Sequence, residues 1–246
     1  KSFWYKIYEP LIRKAAGLGI ASIEKDRERY EHKYEYCDLL VTGSGPAGLS
    51  STYAAAKNGA KVILVEDKPR FGGTLLTDDV TIDNLSGKAW TDKIINELKK
   101  MPNVIVKNRS QVFGYYDHNM TVMIERTGDH LKDKPKYIPR QRLWYIRAKE
   151  VLLSTGSIER PIVFGNNDTP GVFLSAAVKE YIKVYGVLVG KKPLIFTNND
   201  SAYETALEFK KQGIDPVILD TREEHSSELI DFVKNQNIKI RFSYAI

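Results

Sequence analysis

The sequence has very little cysteine: Cys37 is the only one in 246 residues. A single cysteine excludes a disulfide within the chain, a Cys-x-x-Cys redox pair and a cysteine-rich zinc site. A reducing, cytoplasmic location therefore fits best. Long hydrophobic runs are also missing, since the apolar runs at 62–65 and 187–189 fall far short of the ~18 residues that a membrane helix needs. We predict no membrane-spanning segment.

Catalytic groups are scarce as well. The four histidines lie in polar or turn contexts without metal-ligand spacing, and surface positions are the plainer interpretation for His32, His118, His130 and His225. No Ser-His-Asp set, zinc site or paired general acid and base can be named. If the protein takes part in redox chemistry, a bound cofactor must perform it.

The composition is that of an ordinary folded chain, with 42% hydrophobic and 28% charged residues and a net charge of +6. The excess positive charge lies between 131 and 149, a stretch that contains seven basic residues and only one acidic residue, Asp133. Such a stretch suits nucleic acid, a ligand phosphate or an acidic partner surface. A solvated basic loop that leads into a strand is the plainer interpretation, and nucleic-acid binding ranks last.

Hydrophobic periodicity predicts an α/β fold in which strands and helices alternate. The first half is expected to contain, in chain order, a strand at 38–42, a helix at 46–58, a parallel strand at 61–66, a helix at 90–101, a strand at 104–106, an antiparallel meander over 111–147 and a buried strand at 151–156. The second half is expected to contain a strand at 194–196, a helix at 201–212 and strands at 217–220 and 238–242. Two α/β units in tandem follow from this order.

The strongest motif is Gly43-Ser44-Gly45-Pro46-Ala47-Gly48, which lies between the first strand and its helix. In such a loop Gly43 permits the tight turn, Gly45 lets the backbone approach a pyrophosphate, and Gly48 lets helix and strand pack closely. The phosphates then rest on free N–H groups at the start of the helix. The motif predicts a Rossmann-like, dinucleotide-binding unit.

Glu66 strengthens this prediction. It lies 23 residues after Gly43, at the end of the second strand, where a carboxylate can accept hydrogen bonds from both ribose hydroxyls of an adenosine. Its charge disfavours a 2′-phosphorylated cofactor, although Lys68 or Arg70 could reach over and neutralise it. NAD and FAD stay open as alternatives at this point, because both present the same adenosine diphosphate.

Two further glycine-containing segments lie near the same expected edge of the sheet. Gly72-Gly73-Thr74 would admit a pyrophosphate or ring from the other side, and a simple turn is its alternative. Thr155-Gly156 brings backbone to the carboxyl end of a buried strand, where ligands bind in open α/β sheets; a plain strand end is its alternative.

In the second unit the corresponding turn, 197–203, has no glycine. A second dinucleotide is therefore not expected there, and Asn199, Asp200 or Ser201 explains the turn as a helix N-cap.

These patterns divide the chain into three parts. Residues 1–37 are predicted to form an N-terminal arm or connector, 38–160 a first dinucleotide-binding domain, and 161–246 an incomplete second Rossmann-like unit with a degenerate fingerprint. Because the first residue is Lys1 and the second unit has few strands, we expect a piece of a longer protein.

Several segments together resemble the α subunit of heterotetrameric sarcosine oxidase. They are 8–19 (Tyr-Glu-Pro at the start), the glycine fingerprint, 71–76, 112–119, 156–161 and the Asn-Asn-Asp-Ser turn at 198–201. The fingerprint is shared by many flavoproteins, whereas the opening motif and the Asn-Asn-Asp-Ser turn are narrower signatures. The resemblance covers nearly the whole chain.

This resemblance implies a subunit of a complex that oxidises sarcosine to glycine, passing electrons through FAD and FMN to oxygen and the one-carbon unit to tetrahydrofolate. It implies that the amine is oxidised at a flavin of the β subunit, while the α subunit's dinucleotide domain, shaped like the FAD domain of glutathione-reductase-type enzymes, holds NAD. Smaller subunits complete the complex. The folate-binding domain that the family carries after this region is absent from this sequence, which by itself is not expected to be catalytic.

Carried over by position, the resemblance implies that eleven residues line the dinucleotide: Gly43, Gly45, Pro46, Ala47, Gly48, Glu66, Gly73, Thr74, Val112, Thr155 and Gly156. The assignment of Val112 to this set depends on a backbone contact to adenine. Other classes remain open, namely an FAD-dependent NAD(P)H oxidoreductase, an α subunit like those of opine dehydrogenases or hydrogen cyanide synthase, and a scaffold that only binds partners.

Overall fold

The computed structural model describes residues 3–17, 19 and 22–244, so Leu18 of the opening motif and Ile246 at the predicted end of the second unit lie outside the described residues. The helices are α1 (Glu9–Ala15), α2 (Pro46–Lys57), α3 (Gly87–Leu98), α4 (Ser175–Tyr185), α5 (Ser201–Lys211) and α6 (Glu228–Asn235). The strands are β1 (Tyr30–Thr42), β2 (Val62–Val65), β3 (Thr81–Ile82), β4 (Leu85–Ser86), β5 (Val104–Lys107), β6 (Ser110–Tyr116), β7 (Met120–Glu125), β8 (Gln141–Leu153), β9 (Leu194–Thr197), β10 (Val217–Asp220) and β11 (Lys239–Arg241).

A six-stranded sheet organises the first half of the chain, in the order β5-β2-β1-β8-β7-β6. The strands β5, β2, β1 and β8 are parallel, as the predicted βαβ order requires. Their ends are in register, because Thr42 lies beside Val65 on one side and beside Leu153 on the other. The loops that follow β1, β2 and β8 therefore meet at one carboxyl edge.

The predicted meander is present as the antiparallel strands β6, β7 and β8. It is not a separate layer, since β8 also pairs with β1 and joins the meander to the parallel strands. The predicted strand at 151–156 is the end of this long strand, which stops at Leu153.

The strand β1 is thirteen residues long, whereas the sequence pattern predicted a strand only at 38–42. Residues 30–37, which we placed in the connector, continue the strand and pair with β8 from Gln141 onward. Because these residues carry mixed charges and lack an apolar run, the sequence pattern did not predict this pairing. Glu31 binds Arg142 on the neighbouring strand, and Tyr34 stacks on Tyr145 with ring centroids 5.0 Å apart. Cross-strand pairs of this kind stabilise a sheet without an apolar run.

Two buried clusters lie on this sheet. One contains Val41, Leu49 and Leu64 with apolar side chains of α3, whose Trp90, Ile94 and Leu98 recur at helical spacing on its buried face. The other contains Cys37, Leu40, Met123, Trp144 and Ile146 and joins the parallel strands to the meander. The first cluster holds α2 and α3 against the strands and so fixes the loop between β1 and α2.

The second half contains a parallel sheet in the order β11-β10-β9. Its strands and α5 lie where periodicity predicted them. The helices α4 and α6 were not predicted, although Val178 and Ile182 of α4 bury one face at i, i+4 spacing. Both helices pack on the cluster that contains Tyr203, Phe209 and Ile218.

The basic stretch from 131 to 149 is largely neutralised by acidic neighbours. Lys134 pairs with Glu28, Arg140 with Asp129, Arg142 with Glu31 and Glu125, and Lys149 with Asp38. Arg142, Arg147 and Lys149 lie on β8 itself. The structure therefore favours the interpretation of a loop that leads into a strand.

Among residues 3–17, 19 and 22–244, no helix combines the length and apolar character that crossing a bilayer requires. Within the same described ranges, no group of three or more His, Cys, Asp or Glu side chains is arranged to hold a metal ion.

Candidate functional site

The three glycines of the fingerprint have two kinds of surroundings. A Cβ atom at Gly43 would lie 2.3 Å from the carbonyl oxygen of Ser154, and Gly43 has a φ of +98°, which only glycine adopts readily. A Cβ atom at Gly48 would lie 1.9 Å from the carbonyl oxygen of Gly43. Both positions are closed by backbone. They allow the tight turn and the close packing of α2 on the strands.

Gly45 faces open space instead. A Cβ atom there would meet no heavy atom within 4 Å, and its φ of −67° is accessible to any residue. Neither crowding nor backbone strain within the fold therefore requires glycine here. Pro46 and Ala47, both exposed, form the first turn of α2 next to this open space. This is the cradle that a pyrophosphate would occupy at a helix N-terminus.

Glu66 follows β2 at the same edge and is buried, with 7% of its surface exposed. One carboxylate oxygen, Oε2, accepts hydrogen bonds from the backbone N–H of Ser44, at 3.0 Å, and from its hydroxyl. The other, Oε1, accepts from the backbone N–H of Lys68 at 3.0 Å. Burial raises the pKa of Glu66, with a further rise from Asp67, while the hydrogen bonds from Ser44 and Lys68 oppose it.

These contacts limit what Glu66 can offer a ribose. A carboxylate has about four acceptor positions, and three donors from the chain already use it. The geometry therefore leaves room for about one ribose hydroxyl at Oε1, whereas the sequence suggested two. Sequence reasoning missed Ser44, because the position between the first two glycines of the fingerprint has no fixed residue type.

Ser44 also connects the fingerprint to the Gly72-Gly73 loop. The backbone N–H of Gly72 donates to the Ser44 hydroxyl at 3.1 Å. Gly73 lies so close to the fingerprint that a Cβ atom there would be 3.1 Å from the Cα of Gly45. Gly73 and Thr74, both exposed, begin a short 3₁₀ helix, Gly73–Leu76. The second glycine pair is thus beside the pyrophosphate cradle.

The loop after β8 reaches the fingerprint from the other side. The hydroxyl of Ser154 donates to the carbonyl oxygens of Thr42 and Gly43, at 2.8 and 2.9 Å. Thr155 and Gly156 follow and are exposed. Further along this segment, Glu159 accepts hydrogen bonds from Ser175 and Ala176 at the start of α4. Glu159 therefore has a structural part in linking the two units.

Val112 lies on β6, which is separated from β1 by β7 and β8 in the sheet, and it is half-buried against the Cys37 cluster. The start of its strand is nevertheless joined to Glu66, since the backbone N–H of Ser110 donates to the carbonyl oxygen of Glu66 at 2.9 Å. Ten of the eleven carried-over residues thus surround one edge, and Val112 is joined to it through Ser110. Their contact with a nucleotide stays a prediction.

The corresponding turn of the second unit is occupied by its own side chains. Arg222 binds Asp200 and the fully buried Asp220, both at 2.7 Å, and Tyr203 donates to Asp220 at 2.8 Å. Asn199 accepts a hydrogen bond from the backbone N–H of Ser201, the first residue of α5, whereas Asp200, which occupies the N-cap position, makes no side-chain capping bond. Asp220, which occupies the place of a ribose acid in the sequence, is therefore already engaged.

Comparison with known proteins places this geometry in context. The FAD dependent oxidoreductase family matches residues 38–120, which include the fingerprint and Glu66. The sarcosine oxidase α chain of Rhizobium meliloti (strain 1021) is 46% identical over 220 residues, covering 89% of this chain and 22% of that protein. Its counterpart in Corynebacterium sp. (strain U-96) is 38% identical over 86% of this chain and 22% of its own length. The chain is homologous to the α subunit of sarcosine oxidase.

The homologous region is about a fifth of each relative. More distant similarity extends to one of the opine oxidase subunits of Agrobacterium tumefaciens (strain Ach5), which is 25% identical over 66% of this chain and 33% of that protein.

Two solved structures show the fold. The L-proline dehydrogenase of P. horikoshii superposes with a TM-score of 0.63 at 23% identity, over 84% of this chain and 39% of its own. The thioredoxin reductase of T. acidophilum gives a TM-score of 0.56 at 15% identity, over 84% and 64%. The predicted α/β fold of FAD/NAD(P)-binding oxidoreductases is confirmed.

Proposed function

We propose that this chain is the dinucleotide-binding region of the α subunit of a sarcosine oxidase complex, with NAD as the first choice of ligand and FAD as the second. The observation that carries the proposal is the contrast at the fingerprint. Gly43 and Gly48 are closed by backbone, whereas Gly45 opens onto free space at the start of α2. A simple structural turn would not need glycine at position 45.

The residues present fit such a group. Gly45, Pro46 and Ala47 would hold the pyrophosphate, and Glu66 would accept from a ribose hydroxyl. Gly73 and Thr74 would lie on the opposite side of the dinucleotide, and Thr155 and Gly156 would contact it from the loop after β8. Val112 would contact adenine through its backbone. When bound, NAD or FAD supplies the capacity to accept a hydride; this chain's own residues bind and orient it.

The partner subunits and their cofactors are proposed from the homology to sarcosine oxidase α subunits. In this proposal the amine oxidation takes place on a flavin of a β subunit, smaller subunits complete the complex, FAD and FMN serve the whole assembly, and folate binds a separate domain. The location is proposed to be cytoplasmic, on the ground of the single cysteine. Neither nucleic acid nor a membrane has a part in the proposal.

Calorimetric titration of the purified chain with NAD and, separately, with FAD tests the proposal, after the protein has been inspected for yellow colour. Tight binding of NAD to a colourless protein is the expected result. Absence of binding by either dinucleotide would overturn it.

A second candidate is an FAD-dependent NAD(P)H oxidoreductase, favoured by the match of residues 38–120 to FAD dependent oxidoreductases. Such an enzyme needs a second nucleotide site, and the turn at Asp200 is closed by Arg222. Flavin retained through purification would favour this candidate over the first.

A further inference from the structure

The segment that follows the ribose acid carries two cations close to it in sequence, Lys68 and Arg70. The backbone N–H of Lys68 donates to Glu66 Oε1 at 3.0 Å, so the lysine main chain lies directly beside the carboxylate. A flexible four-carbon stem separates its ammonium group from that point. A cation in this position is what recognition of a ribose 2′-phosphate requires.

Both side chains are directed elsewhere. The ammonium of Lys68 binds Glu180 Oε2 at 2.8 Å, and the guanidinium of Arg70 donates to the carbonyl oxygen of Val184 at 2.7 Å. The same guanidinium lies over the ring of Tyr185, 5.6 Å from its centroid. Glu180, Val184 and Tyr185 all belong to α4, in the second half of the chain.

The helix α4 is itself well fixed, so these contacts are not incidental to a loose surface helix. Lys179 binds Asp78 at 2.8 Å and Lys183 binds Asp79 at 2.5 Å, and both lysines are mostly buried. Glu159 accepts hydrogen bonds from the first turn of the helix. The helix thus holds the whole segment from Lys68 to Asp79, which includes the Gly72-Gly73 loop.

We propose that α4 determines which adenosine ribose the first unit accepts: Glu180 and the last turn of α4 withdraw Lys68 and Arg70 from Glu66, so that a 2′-phosphate meets a carboxylate without a neighbouring cation. The inference rests on the proposed dinucleotide site. It goes beyond that site because the determinant lies in the other unit and does not touch the ligand.

The test compares ADP-ribose with 2′-phospho-ADP-ribose, two probes that differ only in the phosphate and contain no nicotinamide or flavin. The wild-type chain should bind ADP-ribose at least ten times more tightly. Glu180→Ala, a substitution that a helix tolerates, should free Lys68 and narrow this ratio by about three- to fivefold, the scale of an exposed ion pair. Glu204→Ala is the matched control, because Glu204 binds Lys179 and neither Lys68 nor Arg70.

Lys68→Met completes the cycle. In the wild-type background it should leave the ratio unchanged, since Lys68 is held on α4; in the Glu180→Ala background it should restore the wild-type ratio. An unchanged ratio in a folded Glu180→Ala protein, or a changed ratio for Lys68→Met alone, would overturn the inference while the dinucleotide site stands. Failure of the wild-type chain to bind ADP-ribose, NAD and FAD would overturn both.

Discussion

Gly48 packs so closely on Gly43 that a Cβ atom at position 48 would lie 1.9 Å from the Gly43 carbonyl oxygen. Gly45, between them in the same loop, has no atom within 4 Å of the corresponding position. One motif therefore combines two glycines that the packing of the fold requires with a glycine that this packing does not require.

Substitutions at these two glycines should separate folding from binding. Gly45→Val should leave the thermal unfolding midpoint nearly unchanged and abolish dinucleotide binding, because its branched side chain fills the pyrophosphate cradle. Gly48→Ala should lower the free energy of unfolding by more than about 2 kcal/mol, since the backbone must move to admit the methyl group. Circular dichroism melting and calorimetry measure the two effects. Undiminished dinucleotide affinity in a well-folded Gly45→Val protein would refute the proposed site.

Glu66→Gln should weaken dinucleotide binding by about ten- to a hundredfold, because a charge-assisted hydrogen bond of roughly 1.5–3 kcal/mol is lost. Glutamine keeps the size of the buried side chain, so the fold is retained better than with alanine, which would leave the donors of Ser44 and Lys68 unpaired. Binding to the wild-type chain should decline on acidification at a higher pH than for an ordinary glutamate, since burial raises the pKa of Glu66. Calorimetry between pH 4 and 8 measures both effects, and an affinity equal to wild type would remove Glu66 from the site.

The same carboxylate allows a finer measurement. With three of its acceptor positions already used, Glu66 should respond to only one of the two ribose hydroxyls. The 2′-deoxy and 3′-deoxy forms of the bound nucleotide should therefore differ in affinity from each other. Equal losses for both would show that Ser44 releases Glu66 when the nucleotide binds.

Much of the site could be predicted from sequence because its residues are close together along the chain. The spacing from Gly43 to Glu66 spans one strand, one helix and a second strand, and local periodicity predicts each of them. The engagement of Glu66 could not be predicted in this way, since Ser44 has a side chain that suits many roles. Only the folded loop shows that its hydroxyl connects Glu66 with Gly72.

The parts that sequence reasoning missed depend on distant partners. The additional length of β1 comes from its pairing with β8. There Arg142 donates a hydrogen bond to Glu31, which lies 111 positions earlier in the sequence. The α4 helix has only two buried residues, and its contacts with Lys68 and Arg70 cross more than a hundred positions. No local pattern contains such information.

The contact between the two halves of the chain should depend on pH through Asp79. Hydrogen bonds from Lys183 and Lys211, with desolvation opposing them, lower the pKa of Asp79 to about 2. A lowered pKa gives stability that is present above the unfolded value of roughly 3.9 and is lost as the pH falls through the folded value. Asp79→Asn should therefore destabilise the chain by about 0.5 kcal/mol at pH 6, a small effect because the side chain is largely exposed.

Urea unfolding of wild-type and Asp79→Asn proteins from pH 6 to pH 2.5 measures this effect. The difference between their midpoints should be constant down to about pH 4.5 and then shrink. A difference that does not change with pH would mean that Asp79 acts through packing and not through its charge.

Cys37 should be unreactive in the folded chain. Burial raises the pKa of its thiol to about 12, with Lys61 opposing the rise, and the side chain has no exposed surface. Because the thiolate is the reactive form, an aromatic disulfide reagent at pH 8 should label the native protein far more slowly than the protein in denaturant. The single cysteine makes the absorbance change easy to interpret. Immediate stoichiometric labelling without denaturant would contradict the buried position of Cys37 on β1.

The pairing of β1 with β8 also has a consequence for how the chain acquires its structure. The strand at the centre of the main sheet leaves the ribosome well before its longest partner, which ends only at Leu153. Contacts between residues so far apart in sequence are slow to form, because a long loop must close before they give any stabilisation. Until that closure, the alternating polar and aromatic edge of β1 is unpaired and open to other strands. The folding of this region should therefore be limited by the synthesis and docking of β8. Before β8 docks, the unpaired edge of β1 is the part of this sheet that a chaperone would need to protect.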